Sequence, residues 1–232
     1  MSNWAIIVAA GKSERFGDPL PKQFHEVAGR PLLSWAIEKF ELASSIDKIV
    51  VVVAADYRLE TTRKIIDPFG FNKVVKVVCG GDSRQQSVLK GLEALPESVK
   101  VVAIHDGVRA LVSPEDIDKV VKLALAEKAA MLALPATDTL KKVKNHSVVG
   151  TLDRSQIWLA QTPQAFEYQL ILKAHRKFAD NPKGTIVTDD ASLVEALGVK
   201  VKVVKPSTLN LKITTAEDMN YAESLLGSKE NV

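Results

Sequence analysis

Short apolar, β-branched runs alternate along this chain with longer stretches in which apolar residues recur every three or four positions. The runs at 5–10, 48–53, 74–78, 99–104 and 130–134 predict buried strands. The stretches at 31–42, 57–66, 83–95 and 114–126 predict helices between them. Ser113-Pro114-Glu115-Asp116 is a strong helix start, with an N-cap serine, proline at the first helical position and early acids. Such alternation predicts βαβ units, right-handed crossovers and a Rossmann-like, mostly parallel α/β sheet flanked by helices.

The rhythm breaks once. Two strand-like runs, 139–143 and 148–152, surround Asn145-His146-Ser147 with no helix between them. They predict a β-hairpin projecting from the sheet. Exposed edges and apolar side chains on such an arm are a liability until a partner covers them. Residues 137–156 are therefore expected to form a dimerisation arm and the protein a homodimer; a hairpin folded back on its own domain is the competing reading. The chain shows no repeat, low-complexity tract or linker, so 1–232 reads as one domain with the arm inserted, and 228–232 as a frayed tail. At 232 residues it is long enough to bury roughly 70–75% of the surface of the unfolded chain.

Charge narrows the partners. The 31 Lys and Arg against 28 Asp and Glu leave a net +3, too mild to point to nucleic acid. The apolar run at 5–10 is far too short for a membrane span, and no signal peptide is expected. A single cysteine, Cys79, excludes an internal disulfide and fits a reducing cytoplasm.

The chemistry gathers where strands end. The first strand runs into Ala9-Ala10-Gly11-Lys12-Ser13-Glu14-Arg15-Phe16-Gly17, followed by Pro21-Lys22-Gln23-Phe24. Small residues let backbone N–H groups approach an anion, and Lys12, Arg15 and Lys22 can neutralise it. The P-loop pattern fails, because Gly17 is followed by Asp18-Pro19 instead of Lys-Ser/Thr. The dinucleotide fingerprint fails at Ser13, where it needs glycine. The dense positive charge argues for a triphosphate; an ordinary solvated turn is the bland alternative.

Further constellations follow. Gly80-Gly81-Asp82-Ser83-Arg84 precedes the helix that carries Ser87; paired glycines suit reading a base edge, while Ser83 could be a plain cap. His105-Asp106-Gly107-Val108-Arg109 ends the fourth strand, where Asp106 could hold Mg²⁺ or simply pair with Arg109. His105 alone reads as a structural histidine. Asp189 and Asp190 could form a carboxylate site or merely stabilise a helix start. Asn210-Leu211-Lys212-Ile213-Thr214 reads as a strand with one conspicuous lysine.

These segments together resemble the 2-C-methyl-D-erythritol 4-phosphate cytidylyltransferases. The matching motifs are A-A-G-x-x-x-R-x-G with P-K-Q-F, G-G-D-x-R-x-x-S-V, H-D-x-x-R, D-T-x-K, Q-T-P-Q-x-F, T-D-D-A-S-x-V-E and N-x-K-I-T, in order over nearly the whole chain. Ser13 stands where the family often has glycine, and Ala110 where proline commonly follows the arginine. The resemblance implies a fold of nucleotide-diphospho-sugar transferase type and transfer of the cytidylyl group of CTP to 2-C-methyl-D-erythritol 4-phosphate with Mg²⁺. It implies that Arg15, Lys22 and Lys212 act on the CTP phosphates. Ala9, Ala10, Gly11, Gly81, Asp82 and Ser87 would hold the base and nearby sugar, and Asp106 the ribose and metal. Arg109, Arg154 and Thr188 would face the methylerythritol phosphate, with a second subunit's arm completing that pocket. A ribitol 5-phosphate cytidylyltransferase is the nearest rival, and Thr188-Asp189-Asp190-Ala191-Ser192 favours the methylerythritol reading. An NAD-dependent oxidoreductase and a non-catalytic nucleotide-binding dimer are the more distant ones.

Overall fold

A computed structural model of the chain describes residues 2–11, 16, 18, 20–179 and 188–227. The expectations for Lys12, Ser13, Arg15 and the tail at 228–232 fall outside these residues. Beside a two-residue ladder of Glu26–Val27 with Arg30–Pro31, the described residues form the strands β1 (Ser2–Ala9), β2 (Lys48–Val53), β3 (Val74–Cys79), β4 (Val99–Asp106), β5 (Ala129–Pro135), β6 (Lys141–Lys144), β7 (Ser147–Thr151), β8 (Trp158–Glu167) and β9 (Lys202–Val204). The longer helices among the described residues are α1 (Leu32–Leu42), α2 (Arg84–Glu93), α3 (Pro114–Glu127), α4 (Tyr168–Lys177), α5 (Asp190–Glu195) and α6 (Ala216–Gly227).

Seven strands form one sheet in the order β9-β5-β8-β4-β1-β2-β3. Only β8 runs antiparallel, against β4 and β5. β1 lies between β2 and β4, with Ile6 opposite Val50 on one side and Ile104 on the other. Ala5 and Ile7 pack with Leu33, Ile37 and Phe40 of α1 on one face of the sheet. Ile6 packs with Val88 and Leu92 of α2 on the other. Burial on both faces explains the unbroken apolar run, each such side chain contributing about 1.5–3 kcal/mol relative to exposure. Gly91 lets α2 press close: a Cβ there would meet Ile6 Cγ2 at 2.8 Å and Val52 Cγ2 at 3.0 Å.

From β1 the chain builds outward to β2 and β3, then returns across β1 to β4. Strand order therefore reverses between β1 and β4, and the crevice beyond their carboxyl ends is where an open α/β sheet takes a ligand.

Two expectations need correction, and one strand was not anticipated. The helix expected at 57–66 is a composite from Ala55 to Phe69, with a π-helical turn at Thr62–Ile66. That wide turn directly precedes Asp67-Pro68, and Pro68 has no N–H to close a regular turn onto Lys64. The strand expected at 210–214 does not form. Its alternation instead reflects two anchors, Asn210 and Ile213, both buried, with Ile213 donating its N–H to Val108 O at 3.1 Å. Finally, β8 is a central strand that apolar patterning passes over. Its polar Gln161-Thr162-Pro163-Gln164 stretch coincides with a break in its register with β5, the kind of irregularity where a strand tolerates proline.

The hairpin is present. Among the described residues β6 and β7 pair only with each other, and Asn145 and His146 both take positive φ (50° and 61°), as a tight two-residue turn requires. Val143, Val148 and Val149 are 56%, 62% and 56% exposed, so the described residues leave their apolar surface uncovered.

Candidate active site

A cleft of about 640 Å³ opens beyond the carboxyl ends of β1 and β4. Of the residues singled out in the sequence, Ala9, Ala10, Gly11, Lys22, Gly81, Asp82, Ser87, Asp106 and Lys212 line it. Its floor is built by local chemistry. Gln23, 2% exposed, donates its amide to Ala9 O at 2.7 Å and Gly11 O at 3.0 Å. This pins the turn Lys22–Phe24 beneath the end of β1 and sets Lys22 at the cleft wall.

The opposite wall is the loop between β3 and α2. Ser83 caps α2 by accepting from Gln86 N at 3.1 Å. Gly81 N–H donates to Ser87 Oγ at 3.0 Å, and Asp82 N–H to Gln86 Oε1 at 2.8 Å. A Cβ on Gly80 would stand 2.5 Å from Ala10 Cβ and 2.7 Å from Ser87 Oγ, so only glycine lets this loop approach the end of β1. The loop's shape is fixed by its own bonds, and Ser87 anchors it from behind.

Asp106 ends β4 at the centre. Its N–H donates to Thr162 Oγ1 at 3.0 Å, and its carboxylate meets Lys212 Nζ at 2.7 Å and Arg84 Nε at 3.0 Å. Burial alone would raise its pKa, but the two cations outweigh that and hold the carboxyl well below the usual range. Arg84 also lies 2.8 Å from Asp190 Oδ2, and Asp190 Oδ1 is 3.1 Å from His175 Nε2. Burial disfavours the charge on Arg84, yet the two carboxylates raise its pKa further. Ion pairs thus run from Lys212 through Asp106 and Arg84 to Asp190, and a hydrogen bond continues the chain to His175.

His105 is the structural histidine expected. It is fully buried, and burial pushes its imidazole down to about 3. Its Nε2 donates to Arg109 O at 3.2 Å, because a carbonyl only accepts. Nδ1 therefore accepts the Thr162 hydroxyl proton at 3.1 Å.

The three residues expected at the acceptor side are not brought together. Arg109 turns inward, 9% exposed, and donates to Asn210 O at 2.9 Å. It braces the Lys212 segment from behind, and it forms no Asp106–Arg109 salt bridge. Arg154, exposed on a short turn, donates to Thr137 O and ties the two roots of the arm. Thr188 lines a smaller recess of about 40 Å³ with Arg84, His175, Asp189 and Asp190. Asp189 there is the helix cap, accepting from Ser192 N at 3.0 Å.

Arg84, Gln23, His175 and Thr162 carry no assigned role in the sequence reading. Arg84, Gln23 and Thr162 stand within quoted motifs, and that placement was the available signal. Among the described residues no cluster of three or more acidic, histidine or cysteine side chains could hold a metal, and no helix is long and apolar enough to cross a membrane.

The comparisons with known proteins agree with this fold. Residues 4–228 match the family model of IspD, 2-C-methyl-D-erythritol 4-phosphate cytidylyltransferase. A 2-C-methyl-D-erythritol 4-phosphate cytidylyltransferase from Geotalea uraniireducens is 44% identical over 97% of this chain and 96% of its own length. A bifunctional enzyme IspD/IspF from Desulforudis audaxviator is 45% identical over 96% of this chain, which spans 56% of that longer protein. The crystal structure of a 4-diphosphocytidyl-2C-methyl-D-erythritol synthase from Anaerococcus prevotii superposes with a TM-score of 0.83 at 31% identity, covering 97% of this chain and 96% of that one. Since the match runs from the first strand to the last helix, the chain belongs to the 2-C-methyl-D-erythritol 4-phosphate cytidylyltransferase family.

Proposed function

We propose a residue-level account of cytidylyl transfer by this chain. The chain is a nucleotidyltransferase that transfers the cytidylyl group of CTP to 2-C-methyl-D-erythritol 4-phosphate, giving 4-diphosphocytidyl-2-C-methyl-D-erythritol and pyrophosphate for isoprenoid biosynthesis. One observation supports the account above all others: Lys22, Arg84 and Lys212 converge with Asp106 on a single cleft at the switch point of the sheet.

The nucleophile is an oxygen of the acceptor phosphate, largely ionised at neutral pH because the second pKa of a phosphate monoester is about 6. It attacks the α-phosphorus, the bond to the β-phosphate oxygen breaks, and pyrophosphate leaves with the electron pair. No protein nucleophile or strong base is needed. The protein has to hold two mutually repelling anions in line and stabilise charge growing at the α-phosphate. Lys212 meets the α-phosphate, while Lys22, together with Arg15, screens the β- and γ-phosphates. Ala9, Ala10, Gly11 and the rigid loop at Gly81, Asp82 and Ser87 seat the base and nearby sugar.

Asp106, a hard oxygen donor lining the cleft, fits a cation that takes one carboxylate, phosphate oxygens and water. Mg²⁺ bound there would add charge neutralisation at the phosphates. Thr188 and Arg154, with Arg109 as a brace, serve the acceptor side. The exposed valines of the arm support a homodimer in which residues 137–156 cross to the neighbour and carry Arg154 toward its site. The lone Cys79 suits a cytoplasmic setting.

Pyrophosphate release from CTP tests the substrate pair. It should depend on 2-C-methyl-D-erythritol 4-phosphate and be far weaker with ribitol 5-phosphate. Preference for ribitol 5-phosphate would overturn the acceptor assignment.

A further inference from the structure

The cleft and the smaller recess share one side chain, Arg84. Its Nε faces Asp106 in the cleft at 3.0 Å, and its Nη2 faces Asp190 in the recess at 2.8 Å. The two carboxylates come from separate elements, the end of β4 and the start of α5. Asp190 is 1% exposed, and its second oxygen lies 3.1 Å from His175, which is fully buried.

A helix start does not account for Asp190. Asp189 already caps α5. A carboxylate at a helix N-terminus also gains its stabilisation without leaving water, whereas burying one is costly unless it is paired and hydrogen-bonded. The arrangement gives Asp190 a fixed direction instead. His175 holds one oxygen, and the other oxygen aims Arg84. Arginine suits the bridge because its extended planar cation reaches both carboxylates at once, hydrogen-bonding Asp106 and lying in ion-pair contact with Asp190; a lysine is a single point charge.

We propose that Asp190, oriented by His175, is a positioning residue for cytidylyl transfer: it fixes Arg84, and Arg84 fixes the Asp106 carboxylate in the nucleotide cleft. The proposal rests on the assignment of Asp106 to the nucleotide and metal. It also gives the recess that contains Thr188 a physical connection to the cleft, through the same guanidinium.

The test is steady-state pyrophosphate release by Asp190→Asn, Arg84→Lys and their double variant, beside Asp106→Asn, with Mg²⁺ titrations and thermal melts. Misplacing a reacting-centre group by about an ångström costs up to roughly a hundredfold, so each single variant should lose about tenfold or more in kcat and need more Mg²⁺. The double variant should be little worse than the worse single, since the two side chains act in series. Arg84 is 31% exposed, so Arg84→Lys keeps the test open if Asp190→Asn fails to fold. Losses that multiply in the double variant, with an unchanged Mg²⁺ requirement, would reduce the pair to a structural role and overturn the proposal. Normal turnover in Asp190→Asn and Arg84→Lys with an impaired Asp106→Asn would overturn the positioning alone. Normal turnover and Mg²⁺ dependence in Asp106→Asn would remove the assignment beneath it, and the proposal with it.

Discussion

Lys212 Nζ lies 2.7 Å from Asp106 Oδ2, joining positions 106 residues apart. The lysine side chain is 40% exposed, so the pair gains little stability from its Coulomb attraction. What the contact does is bring a cation to the mouth of the cleft, held from behind by Ile213 and by the Arg109 bond to Asn210. In the proposed account, a phosphate entering the cleft competes with Asp106 for that cation.

Lys212→Ala and Lys22→Ala should therefore cost far more in turnover than in stability. Losing one preorganised charge at a developing anion costs about 3–4 kcal/mol, a few hundredfold in rate. Steady-state kinetics with parallel thermal melts decide it; near-parental turnover in either variant would remove its assigned role.

Asp106→Asn keeps the side chain's shape and removes its charge. The higher Mg²⁺ concentration it should need is read from the half-saturation point of pyrophosphate release. An unchanged requirement would leave Asp106 as a partner for Lys212 and Arg84 only.

Acid should destabilise the fold through His105. Its folded pKa, about 3, lies below the unfolded value of 6.5, so the unfolded chain binds the extra proton between those limits. Stability therefore falls as pH drops through that window, by up to about 1.4 kcal/mol per pH unit for one proton. The carboxyls of Asp106 and Asp190, both held below their ordinary range, add further loss at the acid end. Urea unfolding from pH 7 to pH 4 should show a shallower slope in His105→Asn than in the parent. Equal slopes would mean that His105 does not titrate with unfolding.

How much of this was legible depends on how local each feature is. The loops at Gly11 and Gly81 and the acid at Asp106 stand at strand ends, so periodicity alone placed them on one edge of the sheet. The hairpin declared itself by the missing helix. Arg84 was invisible as a bridge because its partners lie 22 and 106 positions away on elements that only tertiary packing brings together. Arg109 stands in a strong motif, yet it turns inward because Asn210 O lies within reach, a contact across 101 positions. The alternation at Asn210-Leu211-Lys212-Ile213-Thr214 suggested a strand since one-sided burial leaves the same imprint whether or not a ladder forms. β8 went unread because its polar middle, Gln161-Thr162-Pro163-Gln164, serves the site: Thr162 holds Asp106 and His105, and Gln164 holds Asp189 and Ala191.

In the proposed dimer the arm would tie assembly to catalysis, and mixing two impaired parents tests that link. Arg154 joins the arm's roots through Thr137 O, at the point where residues 137–156 leave the sheet. If the arm crosses a two-fold axis, each site uses Lys22 from one subunit and Arg154 from the other. One parent carries Arg154→Ala and the other Lys22→Ala. In a mixed dimer both lesions then fall in one site, and the second site is wholly intact. Random reassociation makes half the dimers mixed, with one good site of two, so activity should recover to about a quarter of the unmutated level per subunit. If Arg154 serves its own subunit, every site in the mixed dimer keeps one lesion and no activity returns. Mixed dimers confirmed by mass but without recovery would refute sharing through Arg154. A monomer in sedimentation would refute the arm's role in assembly, and the exposed Val143, Val148 and Val149 would then need another explanation.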